Sequence, residues 1–177
     1  MGLTAGYSTT ATSEDSNAIG SRTSSTGKYA TAVGTEANAS GESGFAAGAK
    51  INATGNQSTA VGYHSTASGA GSVTLGRDAT ASATAAYAMG YGANATNTSA
   101  FAIGSTANAG AYGSMAIGKG ATTKAQDATS TYSYSGTGGT VGASGYNTET
   151  STIHSGDGTN TATDTYNAGD TLAIGTN

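Results

Sequence analysis

Nine glycines stand 14 residues apart without a gap: Gly6, Gly20, Gly34, Gly48, Gly62, Gly76, Gly90, Gly104 and Gly118. The residue before each is Ala5, Ile19, Val33, Ala47, Val61, Leu75, Met89, Ile103 and Ile117, so large apolar side chains recur in one phase. Self-similarity at a fixed period marks a solenoid, whose units bury their apolar faces only against their neighbours. A unit of 14 residues is too short for a helix-turn-helix repeat and suits one coil of β-structure. Small residues half a period on, at Gly27, Gly41, Gly55, Gly69 and Ala83, predict a second corner in each coil. Two corners imply two short strands per coil, hence a flattened β-roll.

The period accounts for a composition that base rates would assign to disorder. Leu, Ile, Val and Phe together number 15 of 177 residues, against 29 Gly and no Pro, Cys or Trp. A net charge of −4, with 9% charged residues, lacks the self-repulsion that keeps disordered chains open. The absence of Cys leaves the redox compartment open. No apolar run approaches the ~18 residues of a membrane span, and Met1-Gly2-Leu3 is not followed by the apolar core of a signal peptide. Membrane contact is expected only through segments that these residues do not include.

Alternation sorts the strands into faces. In the strand ending at the main glycine, one face carries the bulky column together with Leu3, Phe45, Val73, Tyr87, Phe101 and Met115. That face is expected to line the roll interior or an equally dry contact. The other carries Ala18, Ala32, Ala46, Ala60, Ala88, Ala102 and Ala116, flanked by residues such as Ser58, Ser72, Ala86 and Ala100. A strand small or apolar on both faces should be covered on both. The Ala face, with Ala60, Ala88, Ala102 and Ala116, is therefore expected against other copies in a closed cyclic oligomer. The second strand sends Ala37, Ala39, Ala53, Ala67, Ala79, Ala81, Ala93, Ala95, Ala107 and Ala109 one way. It sends Asn38, Asn52, Thr66, Thr80, Asn94, Ser40, Thr54 and Ser68 the other. One face is buried and one is wet.

The units NAIGSRTSSTG (17–27), TAVGTEANASG (31–41), STAVGYHSTASG (58–69) and SMAIGKGATT (114–123) resemble the repeats of the YadA-like head domain of trimeric autotransporter adhesins. The likeness runs from about residue 3 to residue 125. It implies an all-β fold, a left-handed parallel β-roll (solenoid) of 14-residue coils assembled as a homotrimer. It further implies a non-enzymatic adhesive head of an extracellular fibre on the bacterial cell surface, attaching to host matrix, cells or abiotic surfaces. Two alternatives stand beside it: a phage tail-fibre tip or other extracellular filament module, and an ice-binding β-solenoid that uses the Ser/Thr/Asn columns.

The domain plan is a head of about nine coils over 1–127, an acidic insertion or degenerate coils over 128–170, and a return to the repeat over 171–177 as LAIG. Strand-like runs are predicted at 129–135, 147–153 and 160–166. The repeat to Lys124 holds six bases and five acids, whereas the remainder holds Asp127, Glu149, Asp157, Asp164 and Asp170 with no base. Such a segment repels phosphates, so nucleic acid is not an expected partner.

Motifs for catalysis and cofactors dissolve on inspection. Gly113 to Gly120 imitates a phosphate-binding loop, but Gly120 stands where the metal-binding hydroxyl belongs. His154, Ser155 and Asp157 are triad residue types placed next to one another in sequence, which is not how triads assemble. His64 and His154 alone do not make a zinc site. Asp157, Asn160 and Asp164 offer calcium oxygens without a calcium-loop spacing. Asn38, Asn52 and Asn94 form sequons that are by-products of one repeat phase, joined by Asn56 and Asn97. No cofactor is expected. What remains for recognition is the position after the main glycine, where Tyr63, Arg77 and Tyr91 fall on consecutive coils, with Tyr7 and Lys119 in the same column. Coils lie ~4.8 Å apart, and aromatic and Arg side chains anchor recognition surfaces.

Overall fold

Each 14-residue unit makes one turn of a parallel β-solenoid in a computed structural model that describes residues 2–124 and the backbone of Tyr132–Tyr134, Asn160–Ala162 and Leu172–Ile174. Long strands at Leu3–Tyr7, Asn17–Ser21, Thr31–Thr35, Phe45–Ala49, Thr59–Tyr63, Val73–Arg77, Tyr87–Met89, Phe101–Ile103 and Met115–Ile117 stack in chain order into one sheet. Short strands, from Thr10–Ala11 to Thr122–Lys124, stack into a second. Every pairing between successive coils joins residue i to i+14, as in Leu75↔Val61 and Ala67↔Ala81. After the ninth coil, Leu172–Ile174 pairs parallel to Met115–Ile117, Ala116 facing Ala173. Tyr132–Tyr134 and Asn160–Ala162 form a separate antiparallel pair. The run expected at 147–153 lies outside the described residues, as do His154, Ser155, Asp157 and Asp164.

The corners follow the same register. Ser8, Arg22, Glu36, Lys50, His64, Asp78 and Thr106 occupy one column with left-handed φ between 53° and 56°. Asp15, Tyr29, Ser43, Gln57, Ala85 and Ser99 occupy the other. Backbone pairing continues through both columns, for example Asp78 N–H to Tyr63 O at 2.9 Å and Tyr29 N–H to Glu14 O at 2.9 Å. The turns thus satisfy their backbone groups against the preceding coil.

The left-handed corners are therefore taken mostly by residues with side chains, and the repeat-defining glycines stand two positions before them. At Gly62, φ is +131° and a Cβ would overlap the carbonyl of Gly76. One coil on, a Cβ at Gly76 would lie 2.6 Å from the Gly90 carbonyl oxygen. At Gly41 and Gly55, half a period away, φ is not positive, and the backbone of the next coil excludes a Cβ.

The interior overturns one expectation. Ala18, Ala32, Ala46, Ala60, Ala88, Ala102 and Ala116 are completely buried inside the roll, facing the buried Ala39, Ala53, Ala67, Ala81, Ala95 and Ala109 of the short strands. The bulky column points outward: Ile19 is 38% and Leu75 41% exposed, with Leu3 and Phe45 also exposed. Two sheets joined by corners of a few residues lie too close for facing Ile or Leu side chains, so Ala and Ser fill the gap. Ala60, Ala88, Ala102 and Ala116 therefore belong to the roll core and do not meet other copies. The second strand follows the expected sorting, with Ala inside and Ser40, Thr54, Ser68, Ser82 and Thr96 exposed.

The interior is not wholly apolar. Ser16, Ser25 and Ser114 donate to the carbonyls of Ser13, Ala30 and Ala111. The buried hydroxyls of Thr23, Ser58, Ser65, Ser72 and Thr74 have no partner. A buried hydroxyl without a hydrogen bond opposes folding.

Two stability outcomes follow from this packing. Gly62→Val is expected to lose more than about 3 kcal/mol because both conformation and space exclude it. At Gly71, φ is +65° with nothing within 4 Å; Gly71→Val should lose only about 1–2 kcal/mol of conformational energy. Thermal melts of the two variants check the order, and equal melting temperatures would count against a structural role for the glycine column. Ser72→Ala removes an unpartnered hydroxyl at a position where other coils carry Ala30, Ala86 and Ala100. It should raise stability by about 1 kcal/mol in a denaturant titration.

Candidate functional site

Residue 77 ends a long strand, and register places Tyr63 before it and Tyr91 after it in the stack. The Arg77 Cζ lies 5.6 Å from the Tyr63 ring centroid and 5.6 Å from that of Tyr91. At exposed sites each such contact contributes about 0.5–1 kcal/mol. Both tyrosines and the guanidinium are open to solvent. The Arg77 Nε donates to Asp78 Oδ2 at 3.1 Å. The other carboxylate oxygen, Oδ1, lies 2.9 Å from His64 Nδ1. The His64 ring is tilted against Tyr63, with centroids 6.3 Å apart. Five residues on three coils thus form one connected group. Sequence spacing brings Tyr63, Arg77 and Tyr91 together; His64 and Asp78 join because the adjacent corner column has the same 14-residue register.

Other members of the column stand apart. Tyr7 is exposed at the first coil, and Lys119 is exposed on the ninth. Ser21, Thr35 and Ala49 separate Tyr7 from the cluster, and Ser105 separates Tyr91 from Lys119.

A second aromatic and cationic group lies at the opposite corner, which sequence reasoning missed. Lys28 Nζ lies 3.0 Å from Glu14 Oε2 and 4.8 Å from the Tyr29 ring centroid. The Tyr29 hydroxyl donates to Glu14 Oε1 at 3.4 Å. The Glu14 carboxylate, and then Tyr29, hold the Lys28 ammonium above its ordinary pKa. The available signal was the step of 14 from Glu14 to Lys28. On the first corner column Arg22 pairs with Glu36, and the same column continues with Lys50, His64 and Asp78. Exposed pairs of this kind add roughly 0–1 kcal/mol each and mainly pattern the surface.

Two larger surfaces accompany these clusters. The outward side of the long-strand sheet carries an apolar stripe through Leu3, Ile19, Phe45, Leu75 and the stacked rings of Tyr87 and Phe101, whose centroids are 4.5 Å apart. The outward side of the short-strand sheet carries Asn38, Asn52, Thr66, Thr80, Asn94 and Asn108, half-buried in one ladder. Asn38, Asn52 and Asn94, the sequon residues of one phase, are part of that ladder.

Gly113 to Gly120 forms a long strand followed by a turn into the short strand Thr122–Lys124, with no helix to receive a phosphate. Among the described residues, no group of three or more His, Cys, Asp or Glu side chains converges to hold a metal ion. No helix among them is long and apolar enough to cross a membrane.

The description "YadA head domain repeat (2 copies)" matches residues 25–50, 53–79, 81–107 and 95–121. No curated protein matches the chain significantly. The matched segments cover more than half of the 177 residues and share the coil register of the solenoid. This chain belongs to the YadA head domain repeat family, whose members are adhesin-type surface domains.

Proposed function

We propose that the chain is the adhesive head of a homotrimeric extracellular fibre on a bacterial surface, wound left-handed, and that it binds its target without turnover. The observation that carries this reading is the apolar stripe on the outer side of the long strands. Ile19 and Leu75 stand exposed in one column of the roll, and Phe45 in the column two residues before it on the same face. Contiguous exposed apolar surface marks an interaction site, and a stripe along one face of identical chains suits a closed cyclic contact. A roll filled by alanine buries little apolar area per residue. Burial between chains adds the stability that one thin coil lacks.

Attachment is assigned to the polar and aromatic exterior, with Tyr63, Arg77 and Tyr91 as the cluster. The target is an extracellular matrix, cell-surface or abiotic partner. Three copies on one trimer raise avidity, while affinity per site stays modest.

Assembly and attachment are tested separately. Leu75→Asp places a charge on the apolar stripe and should dissociate the trimer while leaving the coil signature in circular dichroism intact. Ala102→Arg places an unpaired charge in the roll core and should unfold it, at a cost of more than about 4 kcal/mol. Light scattering on the wild type and both variants reads the outcome; a monomeric wild type would sink the assembly. For attachment, the triple variant Tyr63→Ala, Arg77→Ala, Tyr91→Ala is first checked for unchanged mass and melting temperature. It should then lose most adhesion to matrix proteins, cells or surfaces that the wild type coats. Undiminished attachment would remove this cluster as the site.

A further inference from the structure

We infer that the Tyr63, Arg77 and Tyr91 cluster receives an oxyanion-bearing sugar, one whose isolated carboxylate or sulfate groups are set among neutral hydroxyls. This rests on the reading of the head as a binding module and names the ligand class of the same site.

A guanidinium presents five N–H donors in a planar fork that matches two oxygens of one oxyanion. In Arg77 the Nε is taken by Asp78 at 3.1 Å, and among the described residues nothing engages the terminal Nη1 and Nη2 pair. That pair is the edge used for bidentate recognition of carboxylate or sulfate. Asp78 is held in turn by His64 Nδ1 at 2.9 Å. The two tyrosine rings, each 5.6 Å from Cζ, restrict the fork from the neighbouring coils. Ordering an arginine side chain on binding is costly, and a fork already held reduces that cost.

The phenol hydroxyls of Tyr63 and Tyr91 make no hydrogen bond among the described residues, so each has a donor and an acceptor to offer beside the fork. Exposed tyrosine rings also supply rigid amphipathic surface, matched to sugar rings with one apolar face and a hydroxyl edge.

Net charge separates this ligand from other polyanions. Asp78 cancels the charge of Arg77, and no other lysine or arginine stands on the coils of Tyr63, Arg77 and Tyr91. A densely charged peptide or nucleic acid gains its affinity from clustered cations and counterion release. A single held fork with flanking hydroxyls instead suits one oxyanion at a time.

The test uses the whole chain and four soluble probes, with binding read by calorimetry or surface resonance. The probes are a hyaluronan oligosaccharide, its carboxyl-reduced form, keratan sulfate and polyglutamate. They represent carboxylated sugar, neutral sugar, sulfated sugar and acidic peptide. Wild type should bind hyaluronan or keratan sulfate, whichever carries the preferred oxyanion, and show no comparable binding to reduced hyaluronan or polyglutamate. Arg77→Ala should weaken binding about tenfold or more, and Arg77→Lys, which keeps charge but not the fork, about fivefold. Lys119→Ala removes the same charge three coils away and should leave affinity unchanged. Equal losses in Arg77→Ala and Lys119→Ala, or preferential binding of polyglutamate, overturns the assignment. If none of the sugars binds while the triple variant still abolishes attachment, the ligand class is wrong and the cluster stands. If attachment survives the triple variant, the cluster itself is wrong.

Discussion

The narrow gap between the two sheets governs the rest of this molecule. Each coil spends only 14 residues on two strands and two turns, so the sheets face one another across a space that accepts methyl and hydroxymethyl groups. Alanine from the long strands meets alanine from the short strands at complete burial. Every larger apolar side chain in the long strands is thereby sent outside, where it lines up with its equivalents in neighbouring coils. The apolar stripe through Ile19 and Leu75 is thus a product of core geometry. In an ordinary domain the largest apolar residues mark the interior; here the space between the facing strands is too thin to hold them, and the fully buried Ile51 sits at a corner, just before the short strand Asn52–Ala53.

Constant register is the second consequence of such a short coil. Backbone pairs continue even through the turns, and a side chain placed on the strand of one coil becomes the neighbour of the residue 14 positions away. Columns of residue type therefore become surfaces. Arg77 meets Tyr63 and Tyr91 in this way, Asp78 meets His64, and Lys28 meets Glu14. The glycine column allows that close stacking, since a Cβ at Gly62 would occupy the space of the next coil's carbonyl. Small local substitutions in such a repeat can build a recognition group without changing the backbone, which suits a family of adhesin-type domains.

Much of this was legible along the chain. The step of 14, the parallel stacking, the inward Ala39 and Ala53 of the short strands and the meeting of Tyr63, Arg77 and Tyr91 all follow from phase. Less legible were the left-handed corners. Arg22, Tyr29 and His64 adopt positive φ without being glycine, because pairing to the preceding coil holds them there. Propensity alone assigns positive φ to glycine. The Glu14, Lys28 and Tyr29 group was also missed, since its aromatic and cation are adjacent in one turn and only the coil stack supplies the carboxylate.

Sequence by itself determined the period, the two strands of each coil and which residues share a face, because alternation and a fixed repeat are properties of the covalent chain. Which face lies inside was decided only by tertiary structure. Ala102 and Ile103 are neighbours on opposite faces of one strand, and hydrophobicity favours burying the isoleucine. The distance between the sheets reverses that preference: Ala102 is fully buried and Ile103 faces outward, half-covered. Close packing tolerates no side chain larger than the space between two backbones, and that space is set by the whole coil rather than by any residue in it.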